Sequence, residues 1–336
     1  MKYRKLGKSN IEASTIALGT WAIGGWMWGG TDKNQSIKAI HSALDNGINL
    51  IDTAPVYGFG ISEDLVGEAV KDRRDKVILA TKCGLVWNTD KGEFVFSSNN
   101  QSISSENNAP LKVHRYLAPQ SIRKEVEDSL KRLNTDYIDL YQTHWQDPTT
   151  PIEDSMAELL KLKDEGKIRA IGACNASVEE IEKYKATGQL DSDQERLSML
   201  DLGQKQGKLP YLIENKTAFL AFSPLALGLL TGKIGPNTKF ATGDQRNFKE
   251  RFHSDNLRKA QVFISELKSI SEDLKIPLTQ MVLAWTINQP GVTHALVGAR
   301  NEIQARENAQ AADIELDTET LAKINEVVDK YSGTIV

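Results

Sequence analysis

Short aliphatic and β-branched runs alternate along the chain with longer stretches in which apolar side chains return every three or four positions. The first pattern suits strands and the second amphipathic helices, so repeated βα units are predicted. Eight runs stand out, at residues 16–18, 48–51, 77–81, 138–143, 168–173, 190–194 (the weakest), 218–222 and 295–297. Between them, Ile122, Val126, Leu130 and Leu133 share one face of a helix predicted over 121–133, with Pro119 and Ser121 marking its start. A second helix, over 152–165, is closed by Gly166 and followed at once by the run at 168. Strands so uniformly apolar are buried on both faces, as in a parallel sheet under helices.

Eight such strands predict an α/β fold of the (β/α)8 TIM barrel type, since a doubly wound sheet usually has five or six. The glycine-dense stretch 24–30 lacks G-x-G-x-x-G spacing and reads as a loop. An N-terminal β-hairpin cap before Ile16 and an extra C-terminal helix after Leu316 lie outside the eight units. Residues 84–118 and 231–256, after the third and seventh strands, are too long for simple connections and are expected as loops over the catalytic face. The 336 residues could hold two domains of ~150 residues, but barrels reach this size as one unit. Candidate site residues run from Trp21 to Asn308, so a single domain over 1–336 is expected.

With 41 Lys+Arg against 45 Asp+Glu the net charge is −4, which removes the positive field that nucleic acid or an anionic membrane would attract. No run of ~18 apolar residues suggests a membrane span. Only Cys83 and Cys174 occur, and the start MKYRKLGKSNIEAS has no apolar core, so neither a disulfide framework nor a secretory signal is expected, and the cytosol is the expected compartment. His41, His114, His253 and His294 lack metal-ligand spacing, and no metal is expected.

In a barrel, polar residues at the carboxyl ends of strands converge. Asp52 ends the second run, Lys82 the third and His144 the fourth, and Tyr57 follows Asp52 by five residues. Each alone fits a structural role; together at one rim they fit chemistry. A lysine cation beside Tyr57 is expected to lower the phenol's pKa, with Asp52 keeping Lys82 charged. Tyr57 then gives a proton to a carbonyl oxygen that neutral His144 polarises by a hydrogen bond. No side chain is an evident nucleophile, so the reaction calls for an external hydride.

Several segments carry a resemblance: Asp52-Thr-Ala-Pro-Val-Tyr57-Gly58, Ala-Thr-Lys82, the stretch 130–140 leading to His144-Trp145, and Gly-Lys-Ile-Arg-Ala-Ile-Gly at 166–172. With Ala-Phe-Ser-Pro-Leu at 221–225, Gly-Leu-Leu-Thr-Gly-Lys at 228–233, Gly-Ala-Arg at 298–300 and Glu307-Asn308, the chain resembles the aldo-keto reductase superfamily over essentially its whole length. Leu-Gly-Thr-Trp-Ala-Ile-Gly-Gly at 18–25 is shared with the bacterial stress-type, NADPH-dependent reductases. The resemblance implies NADP(H), with NAD(H) also possible, lying across the barrel's carboxyl face. Asn175 and Gln194 would hold its carboxamide and Phe222 would stack on the nicotinamide. Ser223, Leu225, Gly228 and Lys233 would cradle the pyrophosphate, and Arg246, Gly298, Arg300, Gln304, Glu307 and Asn308 the adenosine. Thr20, Trp21, Asp52, Cys174 and Pro224 complete the implied cofactor contacts. Cys174 stands where the family usually has Ser, and Gly298 and Gln304 where many members have Lys or Arg, so a 2′-phosphate rests on Arg300 and Lys233.

The substrate, a small carbonyl compound or sugar, is expected against Tyr57, His144, Trp21, Trp87 and Trp145, with Trp26 and Trp28 nearby on the rim. Two other activities share these residues: oxidation of a sugar or alcohol, and cofactor sensing like that of the potassium-channel β-subunits. The latter typically lack the histidine found here as His144. No oligomeric state follows from the sequence.

Overall fold

The computed structural model describes residues 1–98 and 110–335. Strands β1 (Tyr3–Lys5) and β2 (Glu12–Ser14) pair as an antiparallel hairpin. Eight parallel strands then close a barrel: β3 (Ile16–Gly19), β4 (Leu50–Asp52), β5 (Ile78–Cys83), β9 (Ile138–Thr143), β10 (Ile168–Cys174), β11 (Ser192–Arg196), β12 (Ala218–Phe222) and β13 (Val292–Gly298). All eight coincide with predicted runs to within a few residues. The helices that cover them include α1 (Lys33–Asp45), α2 (Ile61–Val70), α3 (Pro119–Leu133), α4 (Ile152–Asp164), α5 (Val178–Thr187) and α6 (Lys208–Asn215). They continue with α7 (Ser254–Asp273), α8 (Leu278–Ile287), α9 (Glu302–Gln310) and the predicted extra helix α10 (Thr318–Tyr331). Among the described residues, no helix is long and apolar enough to cross a membrane.

Local chemistry sets these boundaries. Pro119 opens α3, where its missing N–H costs nothing, and Asn134 closes it in the left-handed region (φ 49°). Ser177 and Glu180 form a reciprocal capping box at α5, and Asn301 caps α9 by accepting from the Gln304 N–H at 2.9 Å. Strand alternation then sorts the interior into two levels. Ala17, Leu50, Ile78, Ala80, Leu140, Ala170, Ala218 and Leu220 form a dry cluster with Leu6 and Ala13 of the hairpin region, which plugs the amino end of the bore. Two residues further along, the same parity carries Asp52, Lys82, Gln142 and Gln194, so the bore turns polar at its carboxyl end.

The segment 84–118, expected as a loop, is partly sheet: β6 (Leu85–Val86) and β7 (Glu93–Ser98) flank β8 (Leu111–Arg115) in antiparallel pairing. Its stretch 99–109 lies outside the described residues. The sheet forms because Phe96 and Val113 find apolar partners in Val56, Phe59 and Trp26, contacts remote in sequence. The second segment, 231–256, does run as irregular chain, with short 3-10 turns at Gln245–Asn247 and Glu250–Phe252 before α7.

Candidate active site

Lys82 is fully buried and Asp52 is 3% exposed. The Lys82 ammonium donates to Asp52 Oδ1 at 2.7 Å, to the Thr53 carbonyl at 2.8 Å and to the Tyr57 hydroxyl at 3.2 Å. Three acceptors use all three of its protons, which is what a buried ammonium needs. Asp52 Oδ2 accepts from Gln194 Nε2 at 2.8 Å and Gln142 Nε2 at 3.3 Å, so both oxygens of the counter-ion are occupied. Burial alone would lower the Lys82 pKa, but Asp52 and Tyr57 outweigh it and hold the ammonium above its ordinary value.

Tyr57 is brought to Lys82 by a turn after β4, where its N–H donates to the Ala54 carbonyl at 3.1 Å. The next residue, Gly58, has φ +71°, and a Cβ there would lie 2.2 Å from the Gly24 carbonyl oxygen. This close approach presses the loop after β3 against the tyrosine turn and lays Trp21 over Tyr57, ring centroids 6.0 Å apart and 24° from parallel. His144 follows β9 directly; its ring stands edge-on to Tyr57 at 5.8 Å, and its main-chain N–H donates to the Cys83 carbonyl at 2.8 Å.

The phenol corrects the expectation from sequence. Burial pushes the Tyr57 pKa up to about 12, with Lys82 pulling down and Asp52 adding to the rise. A nearby cation was expected to win; desolvation of a phenolate against Trp21 and His144 outweighs it. Burial, reinforced by Lys82, also holds His144 well below its ordinary value, so its ring is neutral. The floor of the site therefore presents two neutral O–H and N–H donors over a permanent ammonium.

These donors open into a cleft of about 640 Å³. Of the predicted site residues, Thr20, Trp21, Asp52, Tyr57, His144, Trp145, Asn175, Gln194, Phe222, Ser223, Pro224 and Leu225 line it. Gly228, Lys233, Arg246, Gly298, Arg300, Gln304, Glu307 and Asn308 line it too, as do Trp26 and Trp28. Three predicted residues do not, and the first of them, Lys82, lies buried beneath the Tyr57 hydroxyl. Cys174 has the bore-facing parity of Ala170 and Gly172, is 1% exposed, and sits below the cleft with its thiol pushed up by burial. Trp87 is held behind the wall, edge-on to Phe59 with centroids 5.2 Å apart.

Asn175, in the left-handed region (φ 56°), donates its Nδ2 to the His144 carbonyl at 3.0 Å. Gln194 spends its Nε2 on Asp52 and Gln142. Among the described residues, the amide oxygens of both have no donor, so two acceptors are left for a group in the cleft. Arg246 makes a two-pronged pair with Asp244 at 2.7 and 3.0 Å and lies 4.3 Å from the Phe240 ring centroid. Arg300 donates to the main-chain oxygens of Gly30 (2.9 Å) and Trp28 (3.3 Å), joining α9 to the loop after β3.

Sequence reasoning missed Gln142 and Thr53, the further partners of the ion pair, because Lys82 was singled out as the end of an apolar run and Gln142 lies inside one. It also missed Leu85 and Phe96, delivered to the cleft by the small sheet, and Arg196, the last residue of β11.

Residues 15–329 match the sequence profile of the Aldo/keto reductase family. The chain belongs to that family. This aldo-keto reductase is 40% identical to Aldo-keto reductase YhdN of Bacillus subtilis, covering 98% of this chain and 94% of that protein. It is 38% identical to the NADH-specific methylglyoxal reductase of Escherichia coli, covering 98% and 99%. Among solved structures it is similar to the glycerol dehydrogenase of Gluconobacter oxydans, with a TM-score of 0.85, 37% identity and coverage of 98% and 95%.

Proposed function

We propose that this aldo-keto reductase reduces small aldehydes and ketones, sugar-derived carbonyls among them, to alcohols with NAD(P)H, and that Tyr57 is the proton donor. The observation that carries this reading is the neutral Tyr57 hydroxyl, 3.2 Å from a buried ammonium and facing the same cleft as neutral His144.

The cleft fits a nicotinamide. The free amide oxygens of Asn175 and Gln194 match the two N–H groups of a carboxamide, and Phe222 offers an aromatic face beside them. Gly228 (φ +91°) leaves room in the wall, since a Cβ there would meet nothing nearer than 3.6 Å. A nicotinamide bound there would supply the hydride to the carbonyl carbon. The chain supplies the rest. His144 donates a hydrogen bond that aligns and polarises the carbonyl oxygen, and Tyr57 passes its proton to that oxygen. The phenolate left behind is stabilised by Lys82, whose charge Asp52 balances, and a proton from solvent restores the phenol. Trp21, Trp26, Trp28 and Trp145, with Leu85 and Phe96, wall the reacting centre with flat apolar surface that excludes water.

Lys233 and Arg300 support a role for the 2′-phosphate of NADPH, while Gly298 and Gln304 provide no further cation, and the methylglyoxal reductase relative is NADH-specific. Both cofactors are therefore proposed. Reduction uses Tyr57 as the phenol and oxidation uses it as the phenolate, so with the phenol raised to about 12 the reductive rate is the one expected to hold level at neutral pH. His144 beside Tyr57 favours an enzyme over a cofactor-sensing subunit. The test is titration of NADH and NADPH by tryptophan fluorescence, followed by a carbonyl panel including methylglyoxal and glyceraldehyde. Binding and multiple turnovers support the reading; no cofactor binding below about millimolar, only about 4 kcal/mol, overturns it.

A further inference from the structure

Helix α6 begins with a lysine that has no obvious reason to be there. Lys208 sits in the first turn, where the helix dipole disfavours a cation, and is 8% exposed, where an unpaired ammonium is costly. Its ammonium nevertheless makes two hydrogen bonds and a further ion-pair contact. It bonds Glu195 and the Ala176 carbonyl oxygen and lies 3.3 Å from Asp193 Oδ2. Glu195 is held in turn by Gln204 Nε2 at 3.3 Å.

The positions of these three partners are what matter. On β11 the alternation sends Gln194 into the bore and its neighbours Asp193 and Glu195 outward onto α6. Lys208 therefore grips the strand on both sides of Gln194. Ala176 directly follows Asn175, whose φ of 56° is a conformation that costs a non-glycine residue roughly 1–2 kcal/mol. Lys208 ties down the carbonyl immediately beyond that turn. The two grips are joined, because the Asn175 N–H donates to the Gln194 carbonyl at 3.0 Å. One buried cation thus fastens the backbones of both residues whose free amide oxygens face the cleft, while touching neither the cleft nor its contents.

We propose that Lys208 is a positioning residue that holds Asn175 and Gln194 in register as a two-oxygen anchor for the carboxamide of a nicotinamide cofactor, an inference that rests on the cofactor reading above. Its removal frees the Asn175 turn to relax and lets Gln194 shift with β11. The adenosine end of the cleft, built from Arg300, Gln304 and Asn308 on the other side of β12, is untouched.

The test compares wild type with Lys208→Met by fluorescence titration of NADH and of ADP-ribose, which lacks the nicotinamide. The expected result is about tenfold weaker NADH binding with ADP-ribose binding unchanged, the loss of one or two hydrogen bonds. A second readout is the facial purity of transfer from NADH deuterated on one face of C4. A loosened carboxamide lets the ring turn over, so the variant should transfer a mixture where wild type transfers from one face. Equal losses for NADH and ADP-ribose, or unchanged NADH affinity with undiminished facial purity, overturn the positioning role. If Lys208→Met does not fold, Glu195→Gln, which keeps Lys208 bonded to Ala176, should weaken NADH selectively by about threefold, and no selective loss overturns the proposal. Failure of wild type to bind NADH or NADPH would instead overturn the cofactor reading itself.

Discussion

The Lys82 ammonium lies 3.2 Å from the Tyr57 hydroxyl and is the link between a buried ion pair and the surface of the cleft. Its other two protons go to Asp52 and the Thr53 carbonyl, so its position is fixed from below. Tyr57 is thereby placed against a charge that stabilises its deprotonated form, in buried surroundings that keep it protonated.

Replacing Tyr57 by Phe removes the proton and keeps the ring against Trp21. Turnover of a generic aldehyde should fall by about 10²–10⁴-fold, the usual contribution of a positioned acid, while cofactor affinity stays within about twofold. Steady-state rates and fluorescence titration on the same preparation check both halves.

Lys82→Met should cost stability as well as turnover, because it strands the Asp52 carboxylate in the bore. Breaking a buried pair from one side costs about 3–5 kcal/mol, and adding Asp52→Asn should recover much of the melting temperature without recovering the reaction. Thermal melts of the single and double variants decide this. Recovery of turnover by the double variant would contradict the role given to Lys82.

The pH dependence follows from the raised phenol. Reduction needs the protonated form, so its rate should be level across neutral pH and fall only as pH approaches about 12, the value to which burial pushes Tyr57. His144, held neutral by burial and by Lys82, should add no inflection between pH 5 and its ordinary value of 6.5. Oxidation of the alcohol needs the phenolate and should rise with pH throughout. A break in the reductive kcat near neutrality would contradict the assignment.

Glu125 of α3 holds the start of the small sheet by accepting from the Gly84 N–H at 2.9 Å and from Ser121 Oγ at 3.2 Å. Burial, opposed by these donors, pushes its carboxyl from 4.5 up to about 8. The stability tied to its protonated form is complete below pH 4.5 and is lost as pH rises through about 8. Glu125→Gln cannot ionise, so the melting temperature of the variant minus that of wild type should climb between pH 5 and pH 8. A difference that stays flat would show that Glu125 is charged in the folded protein.

Much of this arrangement was legible in the sequence, for reasons that are local. Seven of the barrel strands carry apolar runs that locate them, whereas β11, Ser192–Arg196, has no apolar residue and only the weak run at 190–194 pointed to it; a polar residue closing an apolar run must pair or react, which singled out Asp52 and Lys82. The misses come from depth and distance. Neighbours in sequence show that a lysine approaches Tyr57 but not how much water the phenol loses, so the direction of its shift was misjudged. Cys174 has a parity legible from β10, yet its level below the cleft depends on how the barrel closes. Phe96 lies in β7 and Trp87 just beyond β6, and both pack with Val56, Phe59 and Trp26, far away along the chain, so no local pattern says which of the two reaches the cleft.

That sheet gives a substrate-specific prediction. The Trp26 indole stacks on Phe96 at 5.4 Å and donates its Nε1–H to Ser98 Oγ at 3.0 Å, pinning the sheet to the loop after β3. Ser98→Ala should raise the substrate KM by about two- to tenfold, the value of one hydrogen bond, and leave NADH affinity unchanged. A change in NADH affinity of the same size would place the sheet with the cofactor rather than the substrate.

The proposed reaction is reduction by direct hydride transfer to a carbonyl carbon, with Tyr57 protonating the oxygen. The most direct test is to run the enzyme on methylglyoxal with NADH deuterated at C4, using each of the two labelled faces in turn, and to analyse the alcohol by mass spectrometry and NMR. One deuterium is expected on the carbinol carbon from one labelled face only, in wild type and in the residual product of Tyr57→Phe, formed far more slowly by the variant. Alcohol without deuterium from either face, or Tyr57→Phe turning over at the wild-type rate, would contradict it.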